Sequence, residues 1–273
     1  MLRRSFHRCL VSLPLLLATA SFAVPPEALP QLTPQAKSSM RVTRHFAAGL
    51  EYLVAEPRDV APDAELPMIV VLHGRGGVPE APTGPYLDLD VPVRVILPRG
   101  PLRSGDGYAW MPVSAHRGET EALTGPLRAR LQELTDAMEI WQVRHPTRGR
   151  PIVTGFSQGG ILAATLAVAD PEAIERAYPI AGWIPPSLLP SAYDPFERHV
   201  PIHAFHGADD PVIGAARTRT QLERLRELGY PVHYEEIEGA GHEVHPEMLE
   251  RLREELLRAL RELPERDDGA GLS

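Results

Sequence analysis

Six short apolar runs, PMIVVLHG from Pro67, VPVRVILPRG from Val91, PIVTGFS from Pro151, RAYPIAGW from Arg176, VPIHAFHG from Val200 and PVHYEEIEG from Pro231, are each bounded by turn residues. Most are apolar at successive positions, not alternating ones, which is how strands read when both faces of a parallel sheet are covered. Between several of them lie segments with helical spacing. Leu123, Leu127, Leu131, Leu134, Met138 and Trp141 form one stripe, and Leu249, Leu252, Leu256, Leu260 and Leu263 form another; both read as core-facing helix surfaces. Upstream, MRVTRHFAAGLEYLVAEP reads as two strands of an antiparallel hairpin. Strands alternating with helices predict an α/β fold: a doubly wound, mostly parallel sheet with an antiparallel N-terminal hairpin and helices on both faces.

The ends of the chain read differently. MLRRSFHR followed by the apolar CLVSLPLLLATASFA has the layout of a secretory signal, with cleavage expected after Ala23. The chain is therefore expected to be exported, periplasmic or secreted, with no stable membrane anchor after cleavage. Residues 24–263 then make one domain, and PERDDGAGLS, residues 264–273, a polar tail. The single cysteine, Cys9, falls in the leader, so neither disulfide nor thiol chemistry is expected of the mature protein. Losing Arg3, Arg4 and Arg8 with the leader moves the formal charge from −8 to −11. That balance disfavours nucleic acid as a partner.

The strongest chemical signal is GFSQGG, residues 155–160, at the junction of an expected strand and an expected helix. Gly-x-Ser-x-Gly in that context is a nucleophile elbow: the serine sits in a strained backbone conformation, and the flanking glycines let strand and helix pass closely. The alternative reading of Ser157 is a helix cap on a tight turn. A serine hydroxyl needs a base to take its proton and a carboxylate to orient that base. Two later strand ends offer them. HGADDPV carries Asp209 and Asp210, of which Asp210 is favoured, and GAGHEV carries His242. His245 is a rival base, but it precedes Pro246 and suits the start of the last helix. His203, His206 and His233 fall within or at the ends of strands, where packed or hydrogen-bonded histidines are the usual outcome. HEVH is one residue short of the HExxH spacing, so no metal is expected there. Two backbone N–H groups should form an oxyanion hole, one on Gln158 and the second on Arg75 in the loop LHGRGG, which His73 would brace. Tyr108, Trp110, Met111 and Trp183 are candidates for an apolar substrate wall.

LHGRGG, GFSQGG, HGADDPV and GAGHEV, in this order and spacing, resemble the carboxylesterase/phospholipase family of small serine hydrolases within the α/β-hydrolase superfamily, relatives of the acyl-protein thioesterases. The likeness covers roughly residues 66 to 262. It implies Ser157, Asp210 and His242 as a triad, Arg75 and Gln158 as oxyanion donors, and hydrolysis of carboxylic esters or thioesters through an acyl-enzyme without a cofactor. The substrate would be a small-molecule or oligomeric ester; a hydroxyalkanoate-oligomer or feruloyl esterase is the alternative, and a non-catalytic binding module on the same fold a third reading.

Overall fold

The computed structural model describes residues 40–79, 84–86, 89–112 and 120–263. The expected leader and polar tail lie outside these residues, as does the end of the loop at 105–118. One sheet of eight strands organises the chain, in the order β1-β2-β4-β3-β7-β8-β9-β10. The expected hairpin forms β1 (Met40–Ala47) and β2 (Leu50–Pro57), paired antiparallel through the turn at Ala48 and Gly49. β2 lies antiparallel to β4 (Arg94–Pro98), and from there β3 (Met68–Leu72), β7 (Ile152–Phe156), β8 (Arg176–Ile180), β9 (Ile202–Gly207) and β10 (Val232–Ile237) run parallel. The expected α/β sheet is therefore the one observed. Two short strands, β5 (Leu102–Ser104) and β6 (Gly107–Ala109), make a separate hairpin. The sequence pattern did not announce it: three residues per strand are too few for a period of two to register.

The strand order explains the double winding. Successive side chains of β3 point to opposite faces, so Met68, Val70 and Leu72 enter one core and Ile69 the other. The first core is closed by α1 (Thr120–Arg144), α2 (Gln158–Ala169) and α3 (Ala215–Leu228). The second is closed by α4 (Pro246–Glu262), whose Met248, Leu252, Leu256 and Leu260 pack with Ile152, Tyr178 and Phe205. All six members of the first helical stripe, Leu123 to Trp141, are buried, as are all five of the second. At about 1.5–3 kcal/mol per fully buried large side chain, those stripes, more than helix propensity, hold α1 and α4 in place. β10, an edge strand, is only half-buried along most of its length, because its outer neighbour is solvent.

From β3 the chain moves to β4 on one side, whereas β7 lies on the other. The loops leaving the carboxyl ends of β3 and β7 therefore diverge, and the crevice between them is where ligands of open α/β sheets bind. Those two loops are LHGRGG and GFSQGG.

Candidate active site

Ser157 stands at the turn between β7 and α2 with φ 55° and ψ −114°. A positive φ is unfavourable for a residue with a Cβ, so the surroundings must enforce it. They do so by close approach. A Cβ on Gly159 would lie 2.1 Å from the carbonyl oxygen of Leu72, and one on Gly155 would lie 2.6 Å from the Gly159 carbonyl group. No side chain larger than hydrogen fits at either position while β3, β7 and α2 stay where they are. The Ser157 amide donates to Ile180 O at 3.0 Å, which ties the turn to β8. Its hydroxyl makes no capping bond to α2, so the helix-cap alternative does not describe it.

The hydroxyl faces His242 instead. His242 Nε2 lies 2.9 Å from Ser157 Oγ, and His242 Nδ1 lies 2.7 Å from Asp210 Oδ2. An ionised carboxylate only accepts, so Nδ1–H donates to Asp210, and in the neutral ring Nε2 is left to accept from the serine. The structure thus brings Ser157, Asp210 and His242 into one line of hydrogen bonds from residues 53 and 32 positions apart. Asp209, the rival carboxylate, is exposed, whereas Asp210 is buried. His245 is the N-cap of α4, its ring accepting from Glu247 N, with Pro246 next.

Backbone contacts also set the positions of the base and the acid. Asp209 N donates to Ala240 O and Ala208 N to Ile237 O, lacing the loop after β9 to the loop after β10. A Cβ on Gly207 would stand 2.3 Å from Gly241 O and 2.4 Å from Ala240 O, so glycine lets the two loops touch. Asp210 is fastened at both oxygens. Oδ1 accepts from the amides of Val212 and Ile213 at 2.8 Å each, and Oδ2 faces His242 and, at 3.3 Å, His206 Nε2. Burial works to raise the Asp210 carboxyl, but the hydrogen bonds from His206, His242 and Ile213 outweigh it and hold the group well below the usual carboxylate range.

His206 is fully buried, and its Nε2 also lies 2.7 Å from Ile213 O. Two acceptors around Nε2 make it the donor, and Nδ1 is then left without a partner. The ring therefore braces Asp210 from behind. Only spatial proximity reveals this, although the i,i+4 spacing of His206 and Asp210 across the strand end is visible in the sequence.

The loop carrying Arg75 lies against the serine: a Cβ on Gly74 would be 3.4 Å from Ser157 Cβ and 3.0 Å from the Phe156 ring. His73 braces this loop as expected, with Nδ1 bonded to Gly74 O at 2.7 Å and Nε2 accepting from Gly100 N at 2.9 Å. Burial lowers its pKa, which suits the neutral ring those bonds require. The Arg75 side chain turns outward to Ser104 Oγ. Gln158 shows what sequence reasoning missed. Its buried side chain accepts from Trp110 N at 2.9 Å and, weakly, from Met111 N at 3.4 Å, and donates to Met111 O at 3.1 Å. Trp110 Nε1 in turn donates to His73 O. Gln158 and Trp110 thus connect the loops on either side of the serine.

Three of the four residues expected to wall the substrate are buried. Trp110, Met111 and Trp183 are 1, 0 and 2 % exposed and belong to the core on the α1–α3 face. Their side chains are packed in that core, and the Gln158 side chain fastens the backbone of residues 110–111 beside it. Tyr108 is half-buried, with the guanidinium groups of Arg99 and Arg103 both stacked on its ring, at 4.4 and 4.5 Å from the centroid.

The profile of the Phospholipase/Carboxylesterase family matches residues 60–259. The chain belongs to this family. The match takes in every strand from β3 onward and all four residues just described at the serine, acid, base and clamp. Acyl-protein thioesterase 1 of Gibberella zeae is 28 % identical over 109 residues, 38 % of this chain and 45 % of that protein. Acyl-protein thioesterase 1 homolog 2 of Dictyostelium discoideum is 29 % identical over 129 residues, 44 % of this chain and 57 % of that protein. The chain thus spans about half the length of the curated relatives it matches. In fold it is similar to esterase PE8, with a TM-score of 0.62 at 20 % identity over 81 % of this chain and 99 % of the other. It is also similar to Zea mays acyl-protein thioesterase 2, with a TM-score of 0.56 at 19 % identity over 77 % of this chain and 98 % of the other.

Proposed function

We propose that this protein is a serine hydrolase that cleaves carboxylic esters through an acyl-enzyme. The observation that carries the reading is the unbroken line Asp210 Oδ2–His242–Ser157 Oγ, with contacts of 2.7 and 2.9 Å, at the crevice of the sheet. In the first half-reaction Ser157 Oγ attacks the ester carbonyl while His242 Nε2 takes its proton. Asp210 stabilises the imidazolium through Nδ1–H, and its depressed pKa keeps it ionised to do so. The oxyanion is held by the backbone N–H groups of Gln158 and Arg75, the first at the positive end of α2. His242 then returns the proton to the leaving alcohol. In the second half-reaction water, deprotonated by His242, attacks the acyl-serine; the tetrahedral intermediate collapses, breaking the bond to Ser157 Oγ, which takes the proton back from His242 as the acid leaves. No cofactor enters any of these steps. Membership of the phospholipase/carboxylesterase family supports the reading.

The test is turnover of p-nitrophenyl butyrate by the purified chain and its Ser157→Ala variant. The substitution should lower kcat by roughly 10³-fold or more and abolish labelling by a fluorophosphonate probe, with melting unchanged. Turnover retained in that variant rejects the assignment. Export is part of the same proposal, supported by the leader pattern of residues 1–23. Mass spectrometry of the exported chain should find Val24 at its N-terminus; a cell-associated chain starting at Met1 would refute it.

A further inference from the structure

At the opposite end of the sheet from Ser157, β9 and β10 bring together groups for which ester hydrolysis has no use. The parallel register pairs His203 directly with His233, so the two imidazoles leave the sheet side by side on one face. Glu235, two residues beyond His233, shares that face. Glu235 Oε1 lies 2.6 Å from His203 Nε2 and 3.4 Å from His233 Nε2, and one ligand atom from each of the three residues falls within 4.8 Å of the others. It is the only such group of three among the described residues.

We propose that His203 Nε2, His233 Nε2 and Glu235 Oε1 form a site for a divalent transition-metal ion such as Zn2+. Two imidazoles and a carboxylate make a donor set that suits Zn2+, and a tetrahedral ion with bonds of about 2.0–2.2 Å sets its ligand atoms about 3.4 Å apart, the spacing of Glu235 Oε1 and His233 Nε2; His203 Nε2 and Glu235 Oε1, 2.6 Å apart in a hydrogen bond, would open by about 0.8 Å as the ion takes the place of their shared proton. The other carboxylate oxygen, Oε2, is engaged by Arg251, which orients Oε1 toward the imidazoles and makes Glu235 a one-oxygen ligand. Behind His203, Glu255 Oε2 lies 3.5 Å from Nδ1. With the ion on Nε2 the ring proton sits on Nδ1, and a small approach of Glu255 would let it accept that proton, the arrangement that fixes metal-binding histidines in other sites. His233 is mostly exposed, and the cluster opens on a recess of about 540 Å³; an ion can enter from solvent and keep water as its fourth ligand. The ion would fasten edge strand β10 to β9.

The test uses tag-free protein and ZnCl2 alone, with equilibrium dialysis and thermal melting as readouts. The intact chain should bind one Zn2+, and at 100 times the dissociation constant its Tm should rise by about 5–10 °C. His233→Ala, an exposed position, should leave the metal-free Tm and p-nitrophenyl butyrate turnover unchanged while weakening binding by more than 10-fold. Glu255→Gln should weaken it by about 10–100-fold. No uptake by the intact chain at about 100 µM free Zn2+ would overturn the proposal, since a site that is empty there would give no Tm rise. Equal affinity in His233→Ala would overturn it too, by placing the ion elsewhere, for instance on His242.

Discussion

Replacing Gln158 by leucine separates what its side chain does from what its backbone does. The leucine has nearly the same volume but none of the polar atoms. It leaves the Trp110 amide and the Met111 carbonyl, bonded at 2.9 and 3.1 Å in the intact protein, without partners in a fully buried position. Each of the two stranded groups costs about 1–3 kcal/mol, and the added apolar burial returns about 1 kcal/mol, for a net loss of about 1–5 kcal/mol. In a chain of this size that lowers Tm by about 2–20 °C. Turnover responds differently. Residue 158 keeps its backbone N–H whatever its side chain, so kcat at 20 °C should fall by no more than about 10-fold, against about 10²–10³-fold for a lost oxyanion donor. That smaller fall would come from loosening residues 110–111 and, through Trp110 Nε1, the loop that carries Arg75. Differential scanning calorimetry and p-nitrophenyl butyrate kinetics on the same preparation read both quantities. An unchanged Tm refutes the clamp. An unchanged Tm with a 10³-fold loss of kcat would show that the side chain, not the amide, faces the oxyanion.

Asp210→Asn should keep the two bonds from Val212 and Ile213 but turn an N–H toward His242, forcing the wrong tautomer and lowering kcat by about 10³–10⁴-fold with the fold retained; activity within 10-fold of the parent would count against the tautomer argument. The Asp210 pKa is lower in the folded state than in the unfolded one, so its contribution to stability is complete above about pH 4 and disappears as pH falls below that. Urea midpoints measured from pH 5 to pH 2 should therefore drop more steeply in the parent than in Asp210→Asn, and parallel curves would contradict this. Gly207→Ala puts a methyl 2.3 Å from Gly241 O and must displace the 240–242 loop by about 1 Å, a misplacement that costs about 10²-fold in kcat. Gly214→Ala, with φ −59° and open space around it, should change neither kcat nor Tm appreciably, and comparable losses in the two variants would refute the contact argument.

Much of this architecture is legible in the sequence because burial on both faces leaves runs such as MIVVL and RVILP that no exposed strand would carry. The hairpin of β1 and β2 is legible for a related reason, the Ala-Gly turn between two patterned runs. The two helical stripes are equally plain, since four- and three-residue spacing over five or six large apolar residues has one economical explanation. The serine turn is readable because its glycines are dictated by backbone contacts of 2.1 and 2.6 Å, and such contacts leave a mark on residue type. The burial of Trp110, Met111 and Trp183 is not legible, because an aromatic or apolar residue near a site has the same letter whether it faces the ligand or the core. For residues 110 and 111 the backbone is fastened by Gln158, whose hydrogen bonds cross 47 and 48 residues.

His206 and the pair His203 and His233 make the same point from the other side. Alternation along VPIHAFHG says that positions 203 and 205 share one face and 204 and 206 the other, but not which strand lies alongside. The register His203↔His233 then decides that one histidine of β9 meets a second imidazole. His206, on the opposite face, meets the Asp210 carboxylate. Strand neighbours are chosen by the packing of whole helices against the sheet, a property of the assembled core and not of either run. The serine–histidine–aspartate line depends on the same choice. β7, β9 and β10 must occupy their particular slots for three loop ends to meet at one rim, and Gly207 then allows the last two loops to close to contact. The chemistry is thus written locally, in residues 155–160, 207–210 and 240–242, while its geometry is written in the order of the strands.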